Sequence, residues 1–122
     1  MAQHNTDGSR AERFAKEFLI AKGYEVLEEN WRYRRAEVDL IARHNNTLVF
    51  IEVKARSGTG FGLPQDFVDV KKQKLLALAA NEYLFLQQHE GEIRFDIIAI
   101  LFKKGFEEYG IHHIEDAFWD YG

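Results

Sequence analysis

The sequence predicts a three-layer domain of the α/β or α+β class, in which helices flank a mixed β-sheet. Two stretches, residues 48–53 and 92–102, are apolar on both faces, which is typical of strands inside a covered sheet. Apolar residues at helical spacing predict two helices, one over residues 7–22 and one from Asp69 to about Gln88. With 122 residues, 46% of them hydrophobic, the chain is long enough for one domain over residues 1–122.

The first helix leads directly into the first predicted strand. Asp7 or Thr6 can cap the N-terminus of the helix, and Gly23 suits the position just after its C-terminus. Apolar and polar residues then alternate, which predicts a short strand from Tyr24 to Asn30.

A β-hairpin is predicted over residues 34–56. Both halves are rich in β-branched and apolar residues, and the polar segment between them contains Asn45 and Asn46. Because Asn tolerates a positive φ, these two residues fit a two-residue turn. Paired residues on the two strands then have numbers that sum to 91. The second strand of the hairpin is apolar on both faces and is therefore predicted to lie centrally in the sheet.

This register brings charged side chains together. It places Asp39 opposite Glu52. It also places Glu37 opposite Lys54, and all four side chains share one face because strand side chains repeat every two residues. Like charges directly opposite each other are destabilising, so Asp39 and Glu52 need a counter-charge, which a divalent cation such as Mg²⁺ would supply. The alternative is that Glu52 and Lys54 form a simple ion pair or lie at a solvated strand end.

The segment after the hairpin predicts a mobile loop. Residues 57–67 contain three glycines and the single proline of the chain, and they leave directly from the strand that carries Glu52. Such a loop could close over a substrate. Glycines alone are weak evidence for this role, because the spacing of a phosphate-binding P-loop is absent.

The C-terminal part of the chain predicts two further strands. The strand over residues 92–102 is internal to the sheet, and Arg94 and Asp96 share one of its faces and are expected to pair. An edge strand follows over residues 108–114, and residues 117–119 are expected to pack back on the core.

Three arginines are interleaved with two aromatic residues before the acidic strand. In the segment Trp31, Arg32, Tyr33, Arg34 and Arg35, arginine forks could bind phosphate oxygens while aromatic faces stack on bases. Alternatively, the aromatic residues pack into the edge of the core and the arginines neutralise nearby glutamates. Both interpretations remain open from the sequence.

Composition excludes several classes of function. The chain has no cysteine, which rules out disulfides, thiolate metal sites and a cysteine nucleophile. No apolar run approaches the roughly 18 residues of a membrane span, and the N-terminus does not resemble a signal peptide, so a cytoplasmic protein without a membrane partner is expected. The formal net charge of −4 argues weakly against nucleic acid, although the distribution of charge matters more than its sum.

The acidic hairpin also resembles a known group of nucleases. Asp39, twelve further residues and then Glu52-Val53-Lys54 resemble the PD-(D/E)xK motif of restriction-endonuclease-like nucleases. More narrowly, residues 36–41 and 49–56 are similar to the YraN family of small, poorly characterised bacterial proteins, and the similarity extends over nearly the whole chain. The main departure is Ala36, where that family usually carries Gly.

The resemblance implies a restriction-endonuclease-like fold and a set of catalytic residues. Asp39 and Glu52 would hold Mg²⁺ or Mn²⁺, with the carbonyl of Val53 as a third ligand. Lys54 would orient the attacking water or help to deprotonate it, and would stabilise the charge that develops on the phosphate.

Further residues are expected to belong to or support the site. Glu12 lies on the first helix, where a glutamate completes the metal site in archaeal Holliday-junction resolvases. Lys72 and Gln73 resemble residues that flank the active site in related nucleases, with Lys72 expected to contact phosphate. Glu37 would set the orientation and protonation of Lys54, and Arg56 would join the arginines that bind nucleic acid.

These expectations favour a metal-dependent endonuclease that hydrolyses phosphodiester bonds of DNA, rather than RNA, with branched or junction DNA among the candidate substrates. The resemblance to resolvases also favours a homodimer, by analogy alone. The main alternative is a catalytically silent module of nuclease descent that binds nucleic acid or another protein. A small hydrolase acting on another phosphate ester ranks last.

Overall fold

The computed structural model describes residues 6–57, 68–103 and 108–118. Their regular elements are α1 (Thr6–Ala21), β1 (Glu25–Tyr33), β2 (Ala36–His44), β3 (Thr47–Ser57), α2 (Val70–Gln87), β4 (Glu92–Lys103) and β5 (Glu108–Ile114). The element types agree with the prediction along the described chain.

The five strands form one mixed sheet in the order β1-β2-β3-β4-β5. Neighbouring strands are antiparallel except for β3 and β4, which are parallel. A parallel pair needs a crossover connection, and α2 lies in the connection between these two strands. The predictions that β3 is central and that β5 is an edge strand are confirmed.

The two helices cover opposite faces of the sheet, which gives the three predicted layers. The core on the α1 side, called here the α1-side core, contains the buried residues Ala11, Ala15, Leu19, Leu40, Ala42, Val49, Ile51, Ile98 and Ile100. The α2-side core contains Ala36, Val38, Ile41, Phe50, Leu76, Ala79, Ala80, Tyr83, Phe95 and Ile97. Both strands that are apolar on two faces, β3 and β4, contribute to both cores. The architecture agrees with a restriction-endonuclease-like fold.

The predicted hairpin register is confirmed. The backbone pairing of β2 with β3 runs from Leu40 and Ile51 to the turn, and its pairs have residue numbers that sum to 91. The turn residues Asn45 and Asn46 have φ values of 52° and 64°, which is the left-handed region that a tight two-residue hairpin turn requires.

Strand β1 is longer than predicted. It continues past Asn30 to Tyr33, because Trp31 and Tyr33 pack against the α2-side core. The ring of Trp31 meets that of Tyr83 edge-on, with 5.1 Å between centroids. The aromatic part of the arginine-rich segment is therefore structural, as the core-edge interpretation predicted.

The predicted ends of helix α2 are confirmed. Asp69 is the N-cap, and its side chain accepts a hydrogen bond from the backbone N–H of Lys72 at 2.8 Å. At the other end, Gln88 adopts a left-handed conformation with a φ of 52°. This cap stabilises the first turn of α2, on which Lys72 lies.

The predicted return of the C-terminal segment to the core is confirmed for its described part. The backbone N–H of Ala117 donates to the carbonyl of Phe95 at 2.7 Å, and the rings of Phe118 and Phe95 stack at 5.3 Å. Trp119 lies outside the described residues, as does most of the predicted mobile loop, residues 58–67.

Within the described ranges, neither helix is long and apolar enough to cross a membrane. The cytoplasmic location and the extent of a single domain over residues 1–122 stay predictions.

Candidate functional site

The candidate site lies where strands β2 and β3 separate. Their backbone pairing ends at Leu40 and Ile51, immediately before Asp39 and Glu52. The next backbone N–H of β3 that faces β2, that of Val53, donates instead to the Oδ2 atom of Asp39 at 2.8 Å. A side-chain carboxylate therefore replaces a backbone carbonyl as the acceptor. The predicted backbone pair of Asp39 with Glu52 is therefore not formed, but the two side chains are close enough for the charge of Glu52 to raise the pKa of Asp39.

The alternation of side chains along β2 is interrupted at Asp39. Ala36 and Val38 belong to the α2-side core, whereas Leu40 and Ala42 belong to the α1-side core. All four have even numbers, so a strand with strict alternation would place them on one face. The alternation is therefore interrupted between Val38 and Leu40. Residues 36–38 point to the opposite sides of the sheet from those that the alternation after Leu40 would predict.

The predicted pairing of Glu37 with Lys54 was wrong for this reason. Glu37 pairs with Arg32 across β1 and β2, and their side chains form an ion pair at 3.5 Å. The ammonium group of Lys54 lies instead 3.5 Å from Oε2 of Glu52. Glu37 therefore lies away from the face that carries Lys54.

Glu52 is buried, with 4% of its surface exposed. Its Oε2 atom contacts two ammonium groups, those of Lys54 at 3.5 Å and Lys72 at 3.3 Å. Its Oε1 atom is also buried but has no hydrogen-bond partner among the described residues. A buried polar atom without a partner is rare in folded proteins and indicates strain, a catalytic role or a bound water or ion.

The carboxyl group of Asp39 is hard to ionise. Burial, first of all, and the neighbouring charge of Glu52 raise the pKa of Asp39 from 3.8 to about 7. The hydrogen bond from Val53 and the charge of Lys72 oppose this rise in pKa, and the charge of Glu12 adds to it. The charge of Glu52 thus disfavours the ionised form of Asp39.

Glu12 borders this site from helix α1. With the Asn30 amide oriented so that its nitrogen faces the carboxylates, it donates to Glu12 Oε1 at 3.2 Å and to Glu37 Oε2 at 3.3 Å. Burial raises the pKa of Glu12; the bond from Asn30 lowers it, and the charges of neighbouring glutamates, Glu52 among them, raise it further. The resemblance placed Glu12 near the acidic pair, and its charge acts on both members.

Asn30 is a site neighbour to which sequence reasoning assigned no role. It lies in β1 between two pairs with β2, opposite Asp39, and its φ is 53°. Asn enters the left-handed region more readily than most residues with side chains, which is the one local signal for this position. The contact of its amide with two carboxylates depends on how α1, β1 and β2 pack.

The acidic residues allow only some kinds of metal site. In the described part of the chain, no three or more His, Asp or Glu side chains form a group arranged to hold a metal ion. Asp39 and Glu52 provide two carboxylates, one with an unpartnered oxygen. Mg²⁺ is commonly held by one or two carboxylates together with water and substrate phosphates, so this donor set fits Mg²⁺ or Mn²⁺.

Of the two neighbouring α2 residues implied by the resemblance, Lys72 reaches the site directly. Gln73 donates from its amide to the carbonyl of Val68 at 2.9 Å. Gln73 therefore contacts the segment that enters α2, and its supporting role in the site stays a prediction.

The arginines predicted to bind nucleic acid lie in two places. Arg32, Arg34 and Arg35 are exposed at the end of β1 and in the turn to β2, with the guanidinium group of Arg34 5.1 Å from the ring of Tyr33. Arg56 is half-buried on β3, and it donates to the carbonyl of Ala55 at 3.0 Å. The structure leaves the first three able to meet a ligand from solvent.

A second buried carboxylate, that of Asp96, is fully satisfied. Arg94 binds it through two nitrogens at 2.9 and 2.8 Å, His113 at 2.8 Å and the backbone N–H of Asp116 at 3.0 Å. Burial raises the pKa of Asp96, but these hydrogen bonds lower it by more, so that the net pKa is below its ordinary value. The predicted pairing of Arg94 with Asp96 is confirmed, and the contribution of His113 was missed.

Comparison with known proteins places the chain in a family. Residues 11–100 match the model of the uncharacterised protein family UPF0102. The chain belongs to the UPF0102 family. This confirms the resemblance to YraN-like proteins, and the matched segment contains the acidic pair and both lysines of the candidate site.

Similar UPF0102 proteins span almost the same length. One from Flavobacterium psychrophilum is 49% identical over 121 residues, which cover 99% of this chain and all of the relative. One from Christiangramia forsetii is 49% identical over 119 residues, with 98% of each chain covered. A more distant one, from Rhodococcus opacus, is 40% identical over 119 residues, covering 97% of this chain and all of the relative.

Proposed function

We propose that this UPF0102 protein is a metal-dependent nuclease that hydrolyses phosphodiester bonds of DNA. Asp39 and Glu52 hold Mg²⁺ or Mn²⁺ at the point where β2 and β3 separate. The observation that carries the proposal is the buried, unpartnered Oε1 atom of Glu52 beside a second carboxylate with a strongly raised pKa.

The comparison with Asp96 supports a functional explanation for Glu52. Both carboxylates are buried in the same sheet. That of Asp96 accepts hydrogen bonds from Arg94 and His113, as expected for a carboxylate with a structural role. At Glu52, the two lysines contact Oε2, while Oε1 has no hydrogen-bond partner among the residues that the structure describes. A divalent ion would provide the missing partner and would relieve the repulsion between Glu52 and Asp39.

Val53 provides a further metal ligand in the proposed site. Its N–H faces Asp39, and the N–H and C=O of one residue in a strand point to the same side. Its carbonyl oxygen is therefore available to the same cation. When bound, the metal ion would polarise a phosphoryl oxygen and lower the pKa of a coordinated water.

The lysines supply the charge that a phosphate needs. Lys54 and Lys72 approach Glu52 from β3 and α2, and their side chains are 25% and 37% exposed, so each extends from the buried acid towards solvent. In the proposed reaction, Lys54 orients the attacking water and Lys72 binds a phosphate oxygen. Both stabilise the negative charge that develops there.

In the proposal, the exposed arginines at the end of β1 and in the turn to β2 provide further positive charge for a nucleic-acid backbone. Arg32 lies next to the acidic site on its α1 side, because it pairs with Glu37, which shares the amide of Asn30 with Glu12. Arginine forks bind phosphate oxygens without regard to sequence. Recognition of DNA by shape and backbone is therefore favoured over recognition of base sequence.

A second candidate function is a catalytically silent module that binds nucleic acid or a protein. The contacts of Lys54 and Lys72 with Glu52 favour it, because two ammonium groups already balance the two carboxylates without a metal ion. The two candidates differ in whether a divalent cation is needed.

Cleavage of a labelled panel separates these functions. Duplex, single-stranded, flap and four-way-junction DNA, with matching RNA, would be incubated with Mg²⁺, Mn²⁺ or EDTA. Glu52→Gln and Lys72→Met should abolish metal-dependent cutting, whereas Lys71→Met, an exposed lysine of the same helical turn, should not. Salt-dependent binding without cutting would support the silent module. If the native protein neither binds nor cuts any member of the panel, the nuclease and the nucleic-acid-binding module are both overturned.

A further inference from the structure

Helix α2 exposes large apolar side chains on the face that points away from the sheet. Its buried face consists of Leu76, Ala79, Ala80 and Tyr83. Its exposed apolar residues are Val70 (64% exposed), Leu78 (43%), Phe85 (76%) and Leu86 (56%). A helix that is apolar on opposite faces is normally covered on both. The outward face of α2 is therefore expected to meet a partner.

Three of the four exposed apolar residues lie in a stripe along the helix, whereas Leu86 lies outside it, about 80° from Leu78 on the other side. At about 100° per residue, Val70, Lys74, Leu78, Asn81 and Phe85 lie within a sector of about 80°. This sector is opposite the centre of the buried face. Spacings of four, four, three and four residues are those of a surface that packs against another helix.

Charges on this face are arranged symmetrically about Leu78. Lys74 lies four residues before Leu78 and Glu82 four residues after it. Lys71 adds a second positive charge towards the N-terminal end of the helix but has no acidic counterpart, since the residue at the same distance beyond Leu78 is Phe85. A surface with opposite charges at equal distances from its centre is complementary to itself in the antiparallel direction.

We propose that the outward face of α2 is the contact surface for a second copy of this chain. The two copies are related by a two-fold axis at Leu78, with their α2 helices antiparallel. Residues at the same height on the two helices then have numbers that sum to 156, so Lys74 of each copy lies level with Glu82 of the other. This contact occurs twice, once on each side of the axis.

A second copy fits this face better than an unrelated partner does. The phosphates of a nucleic acid could bind the lysines, but they would leave the apolar side chains of Phe85 and Leu86 uncovered. The symmetric charges require no complementary surface other than their own. The inference does not depend on nuclease activity, although a dimer formed through α2 would carry two Lys72 and Glu52 sites at a fixed separation.

Sedimentation velocity over a range of protein concentrations tests the dimer. The native chain should associate reversibly, and Leu78→Glu should weaken the association by more than about tenfold because it places two like charges at the axis. Ile20→Glu is the matched control, since Ile20 is an apolar residue of α1 with 51% exposure, and it should leave the association unchanged. A native chain that stays monomeric at every concentration would overturn the proposal.

Cross-linking tests the position of the axis without a charge change. Because the chain contains no cysteine, Leu78→Cys introduces a single thiol, and mild oxidation should link two copies through it. Ile20→Cys should remain unlinked. Equal linking of both variants would mean that the helices do not meet at Leu78.

A charge exchange completes the test. Lys74→Glu and Glu82→Lys should each weaken the dimer, and the double variant should restore it, because the two residues face each other across the axis. No restoration in the double variant would contradict the antiparallel alignment. Association of the native chain only with an added partner protein or DNA would point to a different occupant and would also overturn the proposal.

Discussion

The backbone N–H of Val53 donates to Oδ2 of Asp39 at 2.8 Å, at the point where the pairing of β2 with β3 has ended. This bond holds the Asp39 carboxylate beside Glu52 although the two charges repel each other. The contact therefore maintains an electrostatically unfavourable arrangement that a structural role alone does not explain.

Asp39→Asn should separate stability from function. An Asn side chain can still accept the bond from Val53 through its carbonyl oxygen, but it carries no charge. The free energy of unfolding without metal should rise by about 1–2 kcal/mol at pH 8, because the repulsion from Glu52 is removed. Urea unfolding in EDTA measures this change, and Mg²⁺ should stabilise the native chain but not the variant. A large loss of stability in Asp39→Asn would show that the carboxylate is structural.

The stability of the metal-free protein should fall as the pH rises from about 4 to about 7. The pKa of Asp39 is raised from 3.8 to about 7 in the folded state, so the contribution of its neutral form is present below the unfolded pKa and is lost as the pH passes the folded pKa. In the Asp39→Asn variant this loss should be absent. Urea unfolding of both proteins at pH 4, 6 and 8 in EDTA tests the prediction, and parallel pH profiles would contradict it.

Asp96→Asn should destabilise the fold strongly. The substitution removes the charge that Arg94 and His113 bind in the interior, and loss of one partner of a buried ionic network costs about 3–5 kcal/mol. Glu115→Gln is the control, because Glu115 contacts Arg94 at 3.6 Å from an exposed position and should change stability by less than about 0.5 kcal/mol. Similar effects of the two variants in urea unfolding would be evidence against a central role for Asp96.

Asn30→Gly should be better tolerated than Asn30→Ala. The φ of 53° at Asn30 is accessible to Gly but costs Ala about 1 kcal/mol or more, so the Ala variant should unfold at a lower urea concentration. The reverse order is expected at Glu17, an exposed position within α1, where Gly weakens a helix relative to Ala. The same order at both positions would indicate that the backbone at Asn30 is not constrained.

The parts of the fold that could be predicted from the sequence depend on local chemistry. Asn45 and Asn46 fix the hairpin register because turn type and register are linked, and the register places Asp39 beside Glu52. The Asp69 cap fixes the start of α2 in the same way. A pattern of apolar residues on both faces identified β3 and β4 as interior strands.

The parts that could not be predicted depend on contacts between distant elements. The reversal of faces at Asp39 turns Glu37 towards α1, and no local pattern marks it, since the adjacent residues are ordinary strand formers. The partnership of His113 with Asp96 requires that β5 lies next to β4. The resemblance identified Lys72, but its contact with the same oxygen of Glu52 as Lys54 requires the packing of α2 on the sheet.

The most direct test of the proposed metal site is the effect of Mn²⁺ on the backbone amide signals of the isotope-labelled protein. A paramagnetic ion broadens the signals of nearby residues, so the signals of residues 38–40 and 52–54 should broaden first in the native protein. In Glu52→Gln they should broaden only at Mn²⁺ concentrations at least about tenfold higher, and Lys71→Met should behave like the native protein. Broadening at other positions only, or equal broadening with and without the Glu52 carboxylate, would contradict a metal site at Asp39 and Glu52.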